Sequence, residues 1–307
     1  MVVLQPEAVL AAYRSTRVLQ GAGAPVLAVS LSPAGNRLAA GLGRDSVLLF
    51  KRHRVRHDRA IHVPHRGGVH SVEFDPAGTT LATGGLQERS VVLTHLRAHA
   101  AQRLTAASHT TCLAFNSFGL LAVGTESGVE LWDPSLPRLW CRLPHGAPVR
   151  ALAFLPGGLS LVTGGADGLL RAWDVESGRE HCRSAAYGCE VTALTVPPGG
   201  QALVCGLANG FIEGWDWPLR QRRWHTRADH RAVRVVAVDP AGALAASGGP
   251  NGAIHLWDLR TGQLLDILHG HAGPVTSLRF RPDSQALVSA STDGTIRIWS
   301  EEYLPAG

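Results

Sequence analysis

The sequence predicts an all-β fold made of seven copies of one small four-stranded sheet. Three observations predict it: a recurring segment ending, a recurring order of short alternating apolar runs, and Gly-rich turns at fixed offsets. VSASTDGTIRIW reaches Trp299, and similar endings are GGPNGAIHLWD at Trp257, GLANGFIEGWD at Trp215, GGADGLLRAWD at Trp173 and GTESGVELWD at Trp132. Two weaker copies, GLGRDSVLLF and GGLQERSVVLT, end at Phe50 and Thr94. Successive steps from Phe50 to Trp299 are 44, 38, 41, 42, 42 and 42 residues, too regular to be chance.

Each copy has the same internal order. PVTSLRF (274–280) is an alternating run, RPDSQ a turn, and ALVSA (286–290) a second run leading to Asp293-Gly294. TIRIW is a third run, and LLDIL (264–268) shows the fourth in the preceding copy. Period-two alternation bounded by Gly, Asp, Asn and Pro marks short antiparallel strands. The Asp-Gly and Asn-Gly pairs at 167–168, 209–210, 251–252 and 293–294 are expected to supply positive φ for two-residue hairpins. One such sheet cannot bury both faces alone, so the sheets must stack radially.

With these repeats, the chain resembles the WD-repeat β-propeller family over residues 15–300, and four copies end in Trp-Asp, at Trp132, Trp173, Trp215 and Trp257. The resemblance implies one seven-bladed domain over 1–307. Its blades are expected at about 22–62, 65–105, 106–143, 145–184, 187–227, 229–269 and 271–299, after an extension over 1–14. The seventh copy lacks an outer strand after Trp299, whereas TRVLQGAGAPV (16–26) aligns with DILHGHAGPV (266–275). Residues 15–20 are therefore expected to pair beside 295–299 and close the ring, leaving no unpaired blade edge. Residues 6–13 read as one or two helical turns.

The family is known for a structural hydrogen-bonded set of His, Ser or Thr, Asp and Trp in each blade. The resemblance places it complete in two copies: His145, Thr163, Asp167 and Trp173, and His271, Ser289, Asp293 and Trp299. Copy five has Tyr187, Cys205, Asn209 and Trp215, and copy six Asp229, Ser247, Asn251 and Trp257. The first two copies lack the Trp and are expected to be the least regular.

Composition narrows the function. A chain of 307 residues that is 45% hydrophobic and 17% charged is not a disordered tail. Its net charge of +5 is compatible with nucleic acid without calling for it. No run of 18 apolar residues appears, so no membrane helix is expected. MVVLQPEAVLAAYR has no basic stretch before its apolar part and reads poorly as a secretion signal. Cys112, Cys141, Cys182, Cys189 and Cys205 are odd in number and irregularly spaced, which fits reduced thiols in the cytoplasm, or in the nucleus of a eukaryote.

No catalytic, cofactor or metal site is expected. His53, His57, His62, His65 and His70 are close in sequence, but they fall in strand and loop, where i,i+4 spacing does not make a metal pair. No GxSxG, HExxH or P-loop pattern occurs. Two basic runs, KRHRVRHDR (51–59) and RQRRWHTR (220–227), fall on outer strands and their loops. There they either grip phosphates, with Trp224 stacking a base, or simply guard an edge with charge.

In the family, partners commonly dock on the face that carries the tetrad Asp hairpins and the blade-to-blade loops. The resemblance maps that face to Leu27, His70, Gln87, His109, Thr111 and Arg150, and onward to Glu190, Thr192, Arg234, Thr276 and Thr292. Arg150 and Arg234 are the only side chains there of a kind enriched in binding hot spots, and they suggest an acidic peptide or surface as partner. The expected function is a non-catalytic protein-interaction scaffold, with no small-molecule substrate and no membrane. The alternative is a subunit of a nucleic-acid or ribonucleoprotein complex.

Overall fold

The computed structural model describes residues 13–301 except 22, 53, 55, 86, 229 and 230. The expectation of helical turns over 6–13 lies outside the described residues up to 12; Tyr13 already begins a strand. The chain forms a seven-bladed β-propeller, each blade a four-stranded antiparallel sheet in sequential strand order. Blade one, for example, consists of Val26–Leu31, Arg37–Leu42, Ser46–Lys51 and Arg59–His62. Blades one and two are as complete as the others, against the expectation of irregularity; a missing Trp does not cost a strand. The first strands of neighbouring blades touch all the way round, so these line the ring's centre.

The ring closes as the alignment predicts. Tyr13–Gln20 pairs antiparallel with Thr295–Glu301, from Tyr13 opposite Glu301 to Gln20 opposite Thr295, with a bulge between Ser15 and Arg17. The closing strand thus starts two residues earlier than 15. Leu19 and Tyr13 are buried, each in a different inter-blade cluster. Arg17 donates to the Arg52 carbonyl of blade one, and Gly21 N to the Gly294 carbonyl of blade seven.

Hydrophobic burial is divided into seven clusters, each sandwiched between two adjacent blades. Alternate side chains of a strand therefore enter different clusters. This explains why segments such as SVLLFK are apolar on both faces instead of alternating with polar residues. Close approach of blades needs glycine at the end of the second strands. A Cβ on Gly164 or Gly206 would lie 2.5 Å from Val191 Cγ1 or Val233 Cγ1 of the next blade.

The turn between second and third strands differs from the expected two-residue hairpin. Gly168, Gly210, Gly252 and Gly294 have positive φ, but the preceding Asp or Asn does not. In blade four Gly165 and Leu169 close a three-residue loop, Gly165 N donating to the Leu169 carbonyl. The acidic residue is there as an acceptor: Asp167 Oδ1 takes the Leu169 N–H and Asp293 Oδ1 the Thr295 N–H. The aspartates of the Trp-Asp pairs have a similar task in the turn to the outer strand. Asp174 Oδ1 receives N–H and O–H of Ser177, and Asp258 Oδ1 those of Thr261. These bonds hold both carboxyls below the usual range.

Candidate partner-docking face

The side chains that hold this face in shape are clearest in blade seven. His271 Nδ1 donates to Asp293 Oδ2 (2.9 Å), which leaves Nε2 to accept from the Ser289 hydroxyl (2.7 Å). Ser289 Oγ in turn accepts the Trp299 indole N–H at 2.8 Å. Asp293 also receives the Ala272 N–H and the Thr295 hydroxyl, and its carboxyl falls to about 2 because these bonds outweigh burial. The chain runs from the buried indole to the surface turn.

Blade four has the same four residues but a different arrangement. Trp173 donates to Thr163 Oγ1 at 2.9 Å, as in blade seven. Asp167, however, pairs with Arg171 Nη2 at 2.7 Å, and Arg171 Nη1 lies 3.3 Å from both His145 nitrogens. Arg171 Nε also reaches Glu180 Oε2 at 3.5 Å. The expected His145–Asp167 link is replaced by a buried guanidinium. Burial first, and the adjacent Arg171 charge second, lower the His145 pKa to about 4.

Other blades use substitutes that a search for fixed letters passes over. In blade two His65 Nδ1 donates to Glu88 Oε2 (2.9 Å) and Nε2 sits 3.0 Å from Thr83 Oγ1, with Glu88 taking the aspartate's place. In blades three and five a buried glutamate two residues before the Trp accepts the indole N–H: Glu130 from Trp132 (3.2 Å) and Glu213 from Trp215 (2.9 Å). An outer-strand arginine neutralises each, Arg142 on Glu130 and Arg222 on Glu213. The signal was in the sequence as Glu-X-Trp-Asp in both copies. In blade six Trp257 donates to Ser247, while Asp229 lies outside the described residues.

The mapped docking residues gather at one end of the blades but differ in availability. Leu27, His70, Thr111, Arg150, Thr192, Arg234 and Thr276 occupy equivalent places near the entry of each inner strand. Three of them tie one blade to the next. His70 Nε2 donates to the Thr111 carbonyl (2.9 Å), Thr276 to that of Val26 (2.8 Å), and the Thr192 hydroxyl lies between those of Gly206 and Val233. Leu27, Thr111, Glu190 and Thr292 are half-buried, whereas Gln87, His109, Arg150 and Arg234 are exposed. His109 faces Glu126 at 3.2 Å. Arg150 pairs with Glu190 of the next blade at 3.4 Å, while Arg234 has no ion-pair partner among the described residues. The two arginines are therefore not an equivalent cationic pair. Within the ring, Arg279 of blade seven pairs with Glu73 of blade two across blade one.

The basic runs separate. In 220–227 Trp224 is buried and donates to the Leu259 carbonyl, so it cannot stack a base. Arg222 is committed to Glu213, Arg223 to Asp216, and Arg227 lies over the Phe211 ring. In 51–59, Lys51 and Arg54 share Asp58 and Arg52 pairs with Asp283; His53 lies outside the described residues. Arg37, Lys51, Arg52, Arg54 and Arg281 line one small hollow, so this region keeps a surplus of positive charge. Among the described residues no three His, Cys, Asp or Glu side chains gather as a metal site, and no helix is long and apolar enough to cross a membrane.

A family model described as WD domain, G-beta repeat, matches residues 13–50, 59–95, 139–174, 221–258 and 262–300, more than half of the chain. Periodic tryptophan protein 2 of Saccharomyces cerevisiae is 60% identical over 42 residues, 14% of this chain and 5% of that protein. Serine-threonine kinase receptor-associated protein of Dictyostelium discoideum is 49% identical over 39 residues, 13% of each chain. Protein ROOT INITIATION DEFECTIVE 3 of Arabidopsis thaliana is 55% identical over 40 residues, 13% of this chain and 9% of that one. Each match is about one blade long, so the chain spans a small fraction of these relatives.

Proposed function

Because this chain belongs to the WD-repeat family, we propose that it is a non-catalytic scaffold that docks a peptide or partner domain over the mouth of its central channel. The observation that carries this reading is the rim of Gln87, His109, Arg150 and Arg234. All four are exposed, on a ring whose blades two and three, five and six, and seven and one are tied at this face by bonds from His70, Thr192 and Thr276. A held backbone removes part of the ordering cost of binding and leaves only the side chains to settle. Arg234, without an ion-pair partner, attracts an acidic group, and Arg150 joins it once a partner carboxylate competes with Glu190. The name of one relative records association with a kinase receptor, consistent with protein partners. Blade boundaries follow the sheets, and the cytoplasm or nucleus is the proposed location.

The test is the double variant Arg150→Glu/Arg234→Glu, followed by affinity purification with crosslinking mass spectrometry. The expected result is an unchanged melting temperature with loss of the crosslinks to blades four to six. Capture that survives the charge reversal rejects this face. A second reading, RNA or DNA binding, is favoured only by the cationic hollow of blade one. It requires gel shifts that weaken steeply with salt and are lost in Arg52→Glu/Arg54→Glu.

A further inference from the structure

The opposite end of the blades carries a feature that the scaffold reading does not use. Among the described residues five large hydrophobic side chains are exposed, and four of them lie on blades three and four: Phe118 (73%), Leu136, Trp140 (56%) and Leu159 (60%). Phe118 and Leu159 sit in the turns between first and second strands; Leu136 sits in the turn before the outer strand that carries Trp140. These turns are on the end of the sheets away from Gln87 and Thr292. Isolated exposed hydrophobics are ordinary, but a cluster is not.

The cluster is held in place. Buried Asn116 accepts the N–H groups of Phe118 and Leu120 on Oδ1, which fixes the turn with the Phe118 ring outward. Its Nδ2 donates to the Gly158 carbonyl of blade four at 3.1 Å, setting Leu159 beside it. Phe118, Trp140 and Leu159 then line a hollow of about 440 Å³ together with Leu120 and Val175. The ionisable groups that line it are Asp133 and Glu176, with no arginine, lysine or histidine. A second hollow of about 400 Å³ shares Phe118 and Asp133, extends to blade two, and adds Asp75 and His95. In a chain of net charge +5, this groove has three carboxylates and no Arg or Lys.

We propose that this groove is a second docking site, independent of the channel-mouth face, for a partner segment with a large apolar residue flanked by Arg or Lys. The apolar anchor would fill the hollow beside Phe118 and Leu159. The flanking cation would face Glu176 and Asp133 and lie against the Trp140 ring, where partial desolvation strengthens both attractions. The rigid turns remove part of the ordering cost. Charge complementarity is what selects this occupant: the ionisable groups lining the hollow beside Trp140 are two carboxylates, Asp133 and Glu176.

The test pans a surface-displayed library of short random peptides against the full chain and against three variants. Peptides enriched on the wild type are expected to pair an apolar anchor with Arg or Lys. Trp140→Ser/Leu159→Asp should lower their enrichment by about tenfold or more, as for loss of a central anchor. Glu176→Lys should lower it several-fold, while Arg150→Glu/Arg234→Glu, on the far face, should leave it unchanged. All the altered side chains are exposed or half-exposed, and an unchanged melting temperature verifies the fold. The proposal is overturned if no enriched peptide depends on Trp140 and Leu159, or if the dependent ones are acidic or neutral. It is also overturned if the wild type forms a dimer that Trp140→Ser/Leu159→Asp abolishes, because the occupant is then a second copy.

Discussion

Blades four and seven present the same His, hydroxyl, Asp and Trp, yet only blade seven joins them into one hydrogen-bonded chain. The difference begins two residues after the aspartate. Thr295 gives its hydroxyl and N–H to Asp293, so that carboxylate is satisfied while it holds His271. Blade four has Leu169 there, and Asp167 takes its second partner from Arg171, which then presses on His145. Both blades contain an arginine two residues before the Trp, but Arg297 reaches out to Ser15 on the closing strand. A residue set is thus not a geometry: the neighbour that completes the carboxylate's bonds decides which chain forms.

The two networks part most clearly at the hydroxyl. Ser289→Ala strands both the Trp299 indole and His271, and is expected to cost about 2–6 kcal/mol, since each orphaned buried group costs about 1–3. Thr163→Val strands the Trp173 indole and otherwise removes only a 3.4 Å bond to the Arg171 carbonyl, so it should cost about half as much. Urea midpoints at unchanged slope measure both; equal losses would mean that His145 does bond Thr163.

Acid separates the two blades next. The His145 pKa in the folded chain, about 4, is below its unfolded value, so the folded state favours the neutral ring. Its contribution is fully present above about pH 6.5 and is lost as pH falls towards 4, up to about 3 kcal/mol in size. His271 is also lowered by burial, but Asp293 opposes the shift. Asp293 itself is depressed to about 2, so its contribution persists to lower pH and is lost as pH falls from about 4 through 2. His145→Asn should therefore flatten the stability curve between pH 6.5 and 4 more than His271→Asn does. Equal flattening would place Arg171 away from His145.

The smallest effect is a repair. Leu169→Thr supplies the hydroxyl that blade seven has, and should gain about 0.5–1 kcal/mol while raising the His145 pKa as Arg171 is released. An NMR titration that leaves this pKa where it was would show that the arginine, not the turn, controls the network.

The ring itself was readable because its determinants repeat: the Trp spacing, the turn glycines and the apolar match between 16–26 and 266–275. The departures depend on single neighbours. Arg171 belongs to no recurring motif, and its place beside His145 follows only from Leu169 failing to serve Asp167. Trp224 reads as exposed among arginines, yet Glu213 and Asp216 on the adjacent strand and turn collect Arg222 and Arg223 and leave the ring to face inward. The groove of Phe118, Trp140 and Leu159 joins three turns and strands from two blades, a proximity that only the stacking of blades creates. His70, Thr192 and Thr276 look like contact residues because their bonds are to backbone carbonyls of the next blade, which no side-chain pattern announces.

Both faces of the ring depend on the first strand clasping the last. Residues 13–20 supply the seventh sheet's outer strand and bury Leu19, whose loss alone is expected to cost about 2–5 kcal/mol. The direct measurement is thermal unfolding of the full chain beside a version without residues 1–20. A closed ring requires the shortened chain to lose its cooperative transition or to melt far lower; matching transitions would contradict it.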